Sequence, residues 1–67
     1  MSVKCTVIIQ KEENWYVATD VTSGVASQGK TIDESLSALR EALSLYYEDN
    51  APQTAGDIFV TTMEVAV

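Results

Sequence analysis

Apolar and polar positions alternate over residues 3–11, with Val3, Cys5, Val7 and Ile9 on one face and Lys4, Thr6, Ile8 and Gln10 on the other. A period of two is the signature of a strand with one buried face. The polar stretch Lys11-Glu12-Glu13-Asn14 then leads into the β-prone run Trp15-Tyr16-Val17-Ala18-Thr19, which predicts a hairpin with a tight turn. Residues 20–24 supply turn formers before a short third strand, Val25-Ala26-Ser27-Gln28, closed by Gly29. From residue 31 the period changes. Thr31-Ile32-Asp33-Glu34 is a capping box, in which the Thr31 hydroxyl meets an orphan amide of the first turn and Glu34 reaches back to the amide of Thr31. Ile32, Leu36, Leu39, Leu43 and the Tyr46/Tyr47 step then recur every three or four residues, predicting a helix to about residue 48. Asn50, Pro52 and Gly56 punctuate a loop, and residues 58–67 return to β-branched residues, predicting a fourth strand.

The order β-β-β-α-β needs a crossover between strands 3 and 4, which places them parallel. The simplest product is an α+β two-layer sandwich of sheet order 3-2-1-4 with the helix on one face, a single domain over residues 1–67. The other sheet face is left uncovered. Ile8, Thr6 and either Phe59/Met63/Val65 or Ile58/Val60 would lie on it, an apolar area that predicts self-association. Trp15 and Tyr16 are adjacent on a strand, so one is core and the other faces the open side. Ile8, Tyr16, Phe59 and Met63 are the candidate oligomer interface.

Composition narrows the chemistry. A chain of 67 residues hides only about 60% of its unfolded surface on folding, so a thin core seeking a partner subunit is expected. Four Lys/Arg against ten Asp/Glu leave a net charge of −6, which repels nucleic-acid backbones and anionic membranes. The absence of histidine removes the commonest general base and most zinc sites. The one cysteine, Cys5, shares its face with Val7 and Ile9 and reads as an inert buried thiol in a reducing compartment. The longest N-terminal apolar run, Val7-Ile8-Ile9, is too short for a signal or a span, so a soluble cytoplasmic protein is expected. No metal, cofactor or catalytic group is expected.

Trp15-Tyr16-Val17-Ala18, the segment Gly24-Val25-Ala26-Ser27-Gln28-Gly29-Lys30-Thr31, then Glu34, Glu41-Ala42 and Tyr46, resemble the HicB-like antitoxin family. The likeness extends to the opening Lys4-Cys5-Thr6-Val7-Ile8-Ile9 and the closing Thr61-Thr62-Met63-Glu64-Val65-Ala66-Val67. The resemblance implies a partly degenerate RNase H-like fold, a homodimer or homotetramer, and a non-enzymatic antitoxin of a type II toxin-antitoxin system. Its partner would be a small basic HicA-like mRNA interferase. Where the family commonly has a Cys-Pro-Glu-Leu type segment, this chain has Asp20-Val21-Thr22-Ser23. It resembles a short form without the C-terminal DNA-binding domain, so no direct nucleic-acid binding by this chain alone is expected. The alternative is a stand-alone oligomerising module with no toxin partner.

At about 100° per residue from Leu36, Glu34, Glu41 and Glu48 fall near 160°, 140° and 120°, opposite the apolar stripe. This acidic ridge is either a solvated helix face or a surface that imitates phosphate charge to block a basic RNase. Leu45 lies on the same side, making Glu34, Glu41, Leu45 and Glu48 the candidate partner-binding set. A divalent-metal nuclease is the third reading, and it needs clustered carboxylates with one on the first strand. None is expected there, since Asp20 and Glu64 lie on other segments.

Overall fold

The computed structural model describes residues 3–52 and 56–67. Its elements are β1 (Val7–Glu12), β2 (Trp15–Asp20), β3 (Ala26–Gly29) and α1 (Ile32–Asp49), an α+β arrangement of a three-stranded antiparallel sheet and one helix. The sheet order is β1-β2-β3, which puts both β1 and β3 at edges.

The hairpin pairs Val7 with Asp20 and Glu12 with Trp15, so only Glu13 and Asn14 make the turn. Glu13 takes a left-handed backbone, φ 47°, the conformation such a tight reversal demands and one that L side chains resist. Because paired residues share a face, the register sorts the sheet. Val7, Ile9, Tyr16, Ala18 and Ser27 face the helix, and Ile8, Gln10, Trp15, Val17 and Thr19 face the open side. The turn between β2 and β3 closes on Asp20, whose carbonyl accepts from Gly24 N at 2.8 Å while its own N–H donates to the Val25 carbonyl at 2.9 Å. Gly24 supplies the positive φ of 80° that this reversal needs.

The start of α1 follows its capping signal with one adjustment. Thr31 is the N-cap and its hydroxyl accepts from Glu34 N at 3.1 Å. The Glu34 carboxylate, expected on the amide of Thr31, instead accepts from the Lys30 N–H at 2.9 Å, one residue further out. At the other end the Asn50 side-chain amide donates to the Tyr46 carbonyl at 2.8 Å, satisfying a last-turn acceptor.

The core is small: Ala18, Leu39 and Leu43 are buried, with Cys5, Val7, Ile9, Val25, Leu36 and Tyr47 packed around them. Ile32, expected on the apolar stripe, is exposed, and Ser35 is fully buried in its place. The reason lies in Gly29 on β3. A Cβ there would come within 2.6 Å of Ser35 N and 2.7 Å of Glu34 Cβ, so backbone meets backbone where helix and sheet are closest, and only small residues fit. The Ser35 hydroxyl donates to the Ile32 carbonyl at 2.7 Å, so its burial leaves no loose polar group.

Two expectations are corrected. The fourth strand and the order 3-2-1-4 are not formed: residues 56–67 carry no strand assignment and lie exposed. No backbone hydrogen bond joins them to another described residue. β-branched composition gives a segment the capacity to be a strand, but a strand exists only where an edge pairs with it. The first strand, moreover, extends to Glu12 and does end in a carboxylate. It is exposed at the hairpin tip, at the opposite end of the strand pair from Asp20 and on the other face, so the two acids do not converge.

Candidate functional site

Three surfaces carry potential for contact, each built by a different element. The first is the outer side of α1. Glu34, Glu41, Leu45 and Glu48 are all exposed there, Leu45 to 65%, as the wheel positions require. Their surroundings differ. Glu34 is committed to the helix cap through Lys30, whereas no hydrogen bond among the described residues holds Glu41 or Glu48. α1 also carries Asp33 and Asp49, and Arg40 is its only cation. Asp33 and Glu34 sit at the N-terminus, where the macrodipole favours negative charge. Glu48 and Asp49 sit in the last turn, where it disfavours negative charge, and no basic residue offsets them.

The second surface is the β1 edge. Between β1 and α1 lies a groove of about 550 Å³ lined by Val3, Cys5, Val7, Leu36, Leu39, Arg40, Leu43, Ser44 and Tyr47. It is the place a fourth strand of order 3-2-1-4 would occupy. The third is the segment of residues 58–67, with Phe59 89% and Met63 82% exposed and Val60, Val65 and Val67 also in solvent.

The candidate oligomer residues are therefore not brought together. Ile8 is on the open sheet face opposite Thr19, and Trp15, 42% exposed, is on the same face at the far end of the hairpin opposite Glu12. Tyr16 is half-buried on the helix side, with the Lys11 ammonium 5.8 Å from its ring centre. Phe59 and Met63 are on the unpaired segment. The Lys30 ammonium stands 6.0 Å from the Trp15 ring, so part of the open-face aromatic is already engaged by a cation.

Sequence reasoning missed a polar niche at the C-terminal end of β2. Asp20 is fully buried, and its Oδ2 accepts from Ser23 N at 3.1 Å and from the Ser23 hydroxyl at 2.6 Å. Ser23 Oγ in turn accepts from Val25 N at 3.2 Å. Asp20 Oδ1 has no partner among the described residues. The spacing Asp20-x-x-Ser23 before Gly24 was a legible signal for this side-chain-closed turn. Its charge reaches its neighbours. Burial, and then Asp20, push the Cys5 thiol above its usual range. Desolvation, Asp20, Cys5 and Tyr46 push the Tyr47 phenol up, with Ser23 acting in the opposite direction. A raised thiol pKa argues against a nucleophilic Cys5.

Among the described residues no group of three His, Cys, Asp or Glu side chains is placed to hold a metal ion, and no helix is long and apolar enough to cross a membrane. These features define a small α+β domain whose distinctive surfaces are an acidic helix, an open sheet edge and an unpaired apolar segment. The chain belongs to a family of unknown function, DUF7387, whose model matches residues 4–66. No curated protein and no solved structure gives a match.

Proposed function

We propose that this chain is a non-enzymatic interaction domain that occupies the cationic surface of a small basic protein, the role a HicB-like antitoxin plays toward a HicA-like mRNA interferase. The observation that carries this reading is the charge on α1. Five carboxylates share one helix with a single arginine, and two of them, Glu48 and Asp49, stand in the last turn. A helix selected for stability alone would place cations there, each position being worth about 0.3–1 kcal/mol. Negative charge kept where it costs stability is accounted for by a positive partner.

The mechanism is electrostatic capture followed by desolvation. The ridge steers a basic surface toward α1 over distances of about a Debye length, roughly 8–10 Å. Leu45 then gives the contact an apolar point that excludes water. Of the four candidate contacts, Glu41 and Glu48 are the free charges, and Glu34 is shared with the cap. Phosphate-binding residues of an RNase engaged this way cannot reach RNA. The test is co-purification with the product of the adjacent gene and a growth-rescue assay. Binding with rescue is expected, and neither binding nor rescue ends the reading. Reversing Glu41 and Glu48 to Lys should slow association at least tenfold at low salt, as loss of electrostatic steering does.

A second reading is favoured by a separate observation, the exposure of Phe59, Val60, Met63, Val65 and Val67 on one unpaired segment. In it the domain is a stand-alone oligomerising module, dimeric or tetrameric, and the fourth strand beside β1 is completed only on assembly. A neighbouring gene without a small basic product, together with a stable oligomer, would favour this reading over the first.

A further inference from the structure

We infer that residues 58–67 of one protomer supply the fourth strand of a second copy, lying along its β1 edge and over the groove between β1 and α1, with the exchange reciprocal in a two-fold dimer. The inference deepens the self-association described above and rests on it, and it is independent of the acidic ridge.

Two unsatisfied features of the same chain carry it. One is the edge. The Thr6 carbonyl accepts from Val21 N at 2.9 Å, so residues of even number in this stretch direct their backbone groups toward β2. The backbone groups of Cys5, Val7 and Ile9 therefore point outward along a strand that, among the described residues, has no neighbouring strand on that side. An open edge of this kind is a template for a further strand. The other feature is the segment itself, β-branched and aromatic in composition, exposed, and without backbone partners among the described residues. Each copy thus offers one edge and one strand, the self-complementary condition for a closed isologous pair.

The path of the chain favours exchange over closure on its own edge. Gly56, Asp57, Ile58 and Phe59 line a hollow of about 460 Å³ with Val3, Thr6 and Tyr47, so the chain passes the N-terminal end of its own β1. Ile58 is still partly covered at 36% exposure, and Phe59 is 89% exposed, so the chain leaves the body between these two residues and does not return along β1.

The register follows from the side chains. Phe59, Thr61, Met63, Val65 and Val67 share one face of an extended segment, and Ile58, Val60, Thr62, Glu64 and Ala66 lie on the other. Only the odd-numbered face can enter a groove walled by Val7, Leu36 and Leu43 without burying the Glu64 carboxylate. Two such segments bury on the order of 1,000 Å² or more, the size at which specific association becomes stable.

The experiment uses the full chain at tens of micromolar, with light scattering for mass and amide hydrogen exchange for the edge. A dimer is expected whose Val7 and Ile9 amides are protected about 100-fold more than in the diluted, dissociated chain. Phe59→Asp with Met63→Asp should give a monomer with unprotected edge amides, and Thr62→Asp should remain dimeric. Circular dichroism checks that the double variant keeps its helix; if it does not, the dilution series on the unaltered chain decides. A monomeric unaltered chain overturns the inference, including one whose edge amides are protected by its own segment, and so does a dimer with unprotected edge amides. Glu41→Lys with Glu48→Lys should leave the dimer intact, so failure of basic-partner binding and failure of strand exchange are read separately.

Discussion

The hairpin of β1 and β2 and the segment of residues 58–67 are made of similar material, yet one is a sheet and the other is bare. Both are rich in Val, Ile, Thr and aromatic residues. In the hairpin, a two-residue turn at Glu13 and Asn14 delivers β2 to β1 at once, and the register then seats Ala18 against Leu39 and Leu43. The later segment has no adjacent strand in sequence. It must be carried back by α1 and the loop after Asn50, and the chain instead departs at Phe59. Local pairing is cheap in chain entropy, and a long return is not. Strand-forming composition is thus a capacity that a nearby edge turns into structure.

Breaking the well-packed region should have the largest effect. Leu39→Ala removes one of three core side chains and should cost about 3 kcal/mol, read from urea denaturation. Asp20→Ala should cost about 2 kcal/mol, because the Ser23 amide and hydroxyl lose a charged acceptor. A cost below about 0.5 kcal/mol would show that the turn closes without it. Thr31→Ala should cost about 1 kcal/mol and lower helix content at the first turn, since the Glu34 amide loses its acceptor.

A smaller effect is expected from alkali. Cys5 and Tyr47 both have raised pKa values in the folded chain, chiefly through burial and then the Asp20 charge. As pH rises past about 8.5, the unfolded chain releases the thiol proton first, so the native state binds more protons and stability falls with pH. The urea midpoint should be flat between about pH 7 and 8 and decline above that. Cys5→Ala should remove the earlier part of that decline and leave the part near pH 10 that belongs to Tyr47. The smallest effect belongs to the bare segment: in chains diluted enough to be apart, Val65→Ala should change stability by less than about 0.5 kcal/mol. A larger loss there would mean that the segment packs on its own body.

Much of the body was legible because its signals are local. The Thr31 cap, the stripe through Leu36, Leu39 and Leu43, and the alternation through Val7 and Ile9 each depend on residues a few positions apart. The wheel also placed Glu41, Leu45 and Glu48 on the exposed side of α1. The stripe places Ile32 inward, yet Ile32 is exposed and Ser35 is buried, because hydropathy says nothing of where Gly29 brings two backbones together. Tyr16 and Trp15 were known to face opposite ways, but the register decided that Tyr16 goes toward the helix. Asp20 was read as a turn residue, and its burial with Ser23 emerged only from the fold.

The sequence by itself determined the three strands, the single helix, its Thr31 N-cap and the excess of negative charge, since periodicity, capping chemistry and ionisation act within a few residues or do not depend on position. Tertiary structure alone decided that Ser35 is core, that Tyr16 turns inward, that the β1 edge and its groove stay open, and that residues 58–67 find no partner within the described chain. Those outcomes depend on which surfaces meet in space and on the entropy of bringing distant segments together, quantities that no local pattern encodes.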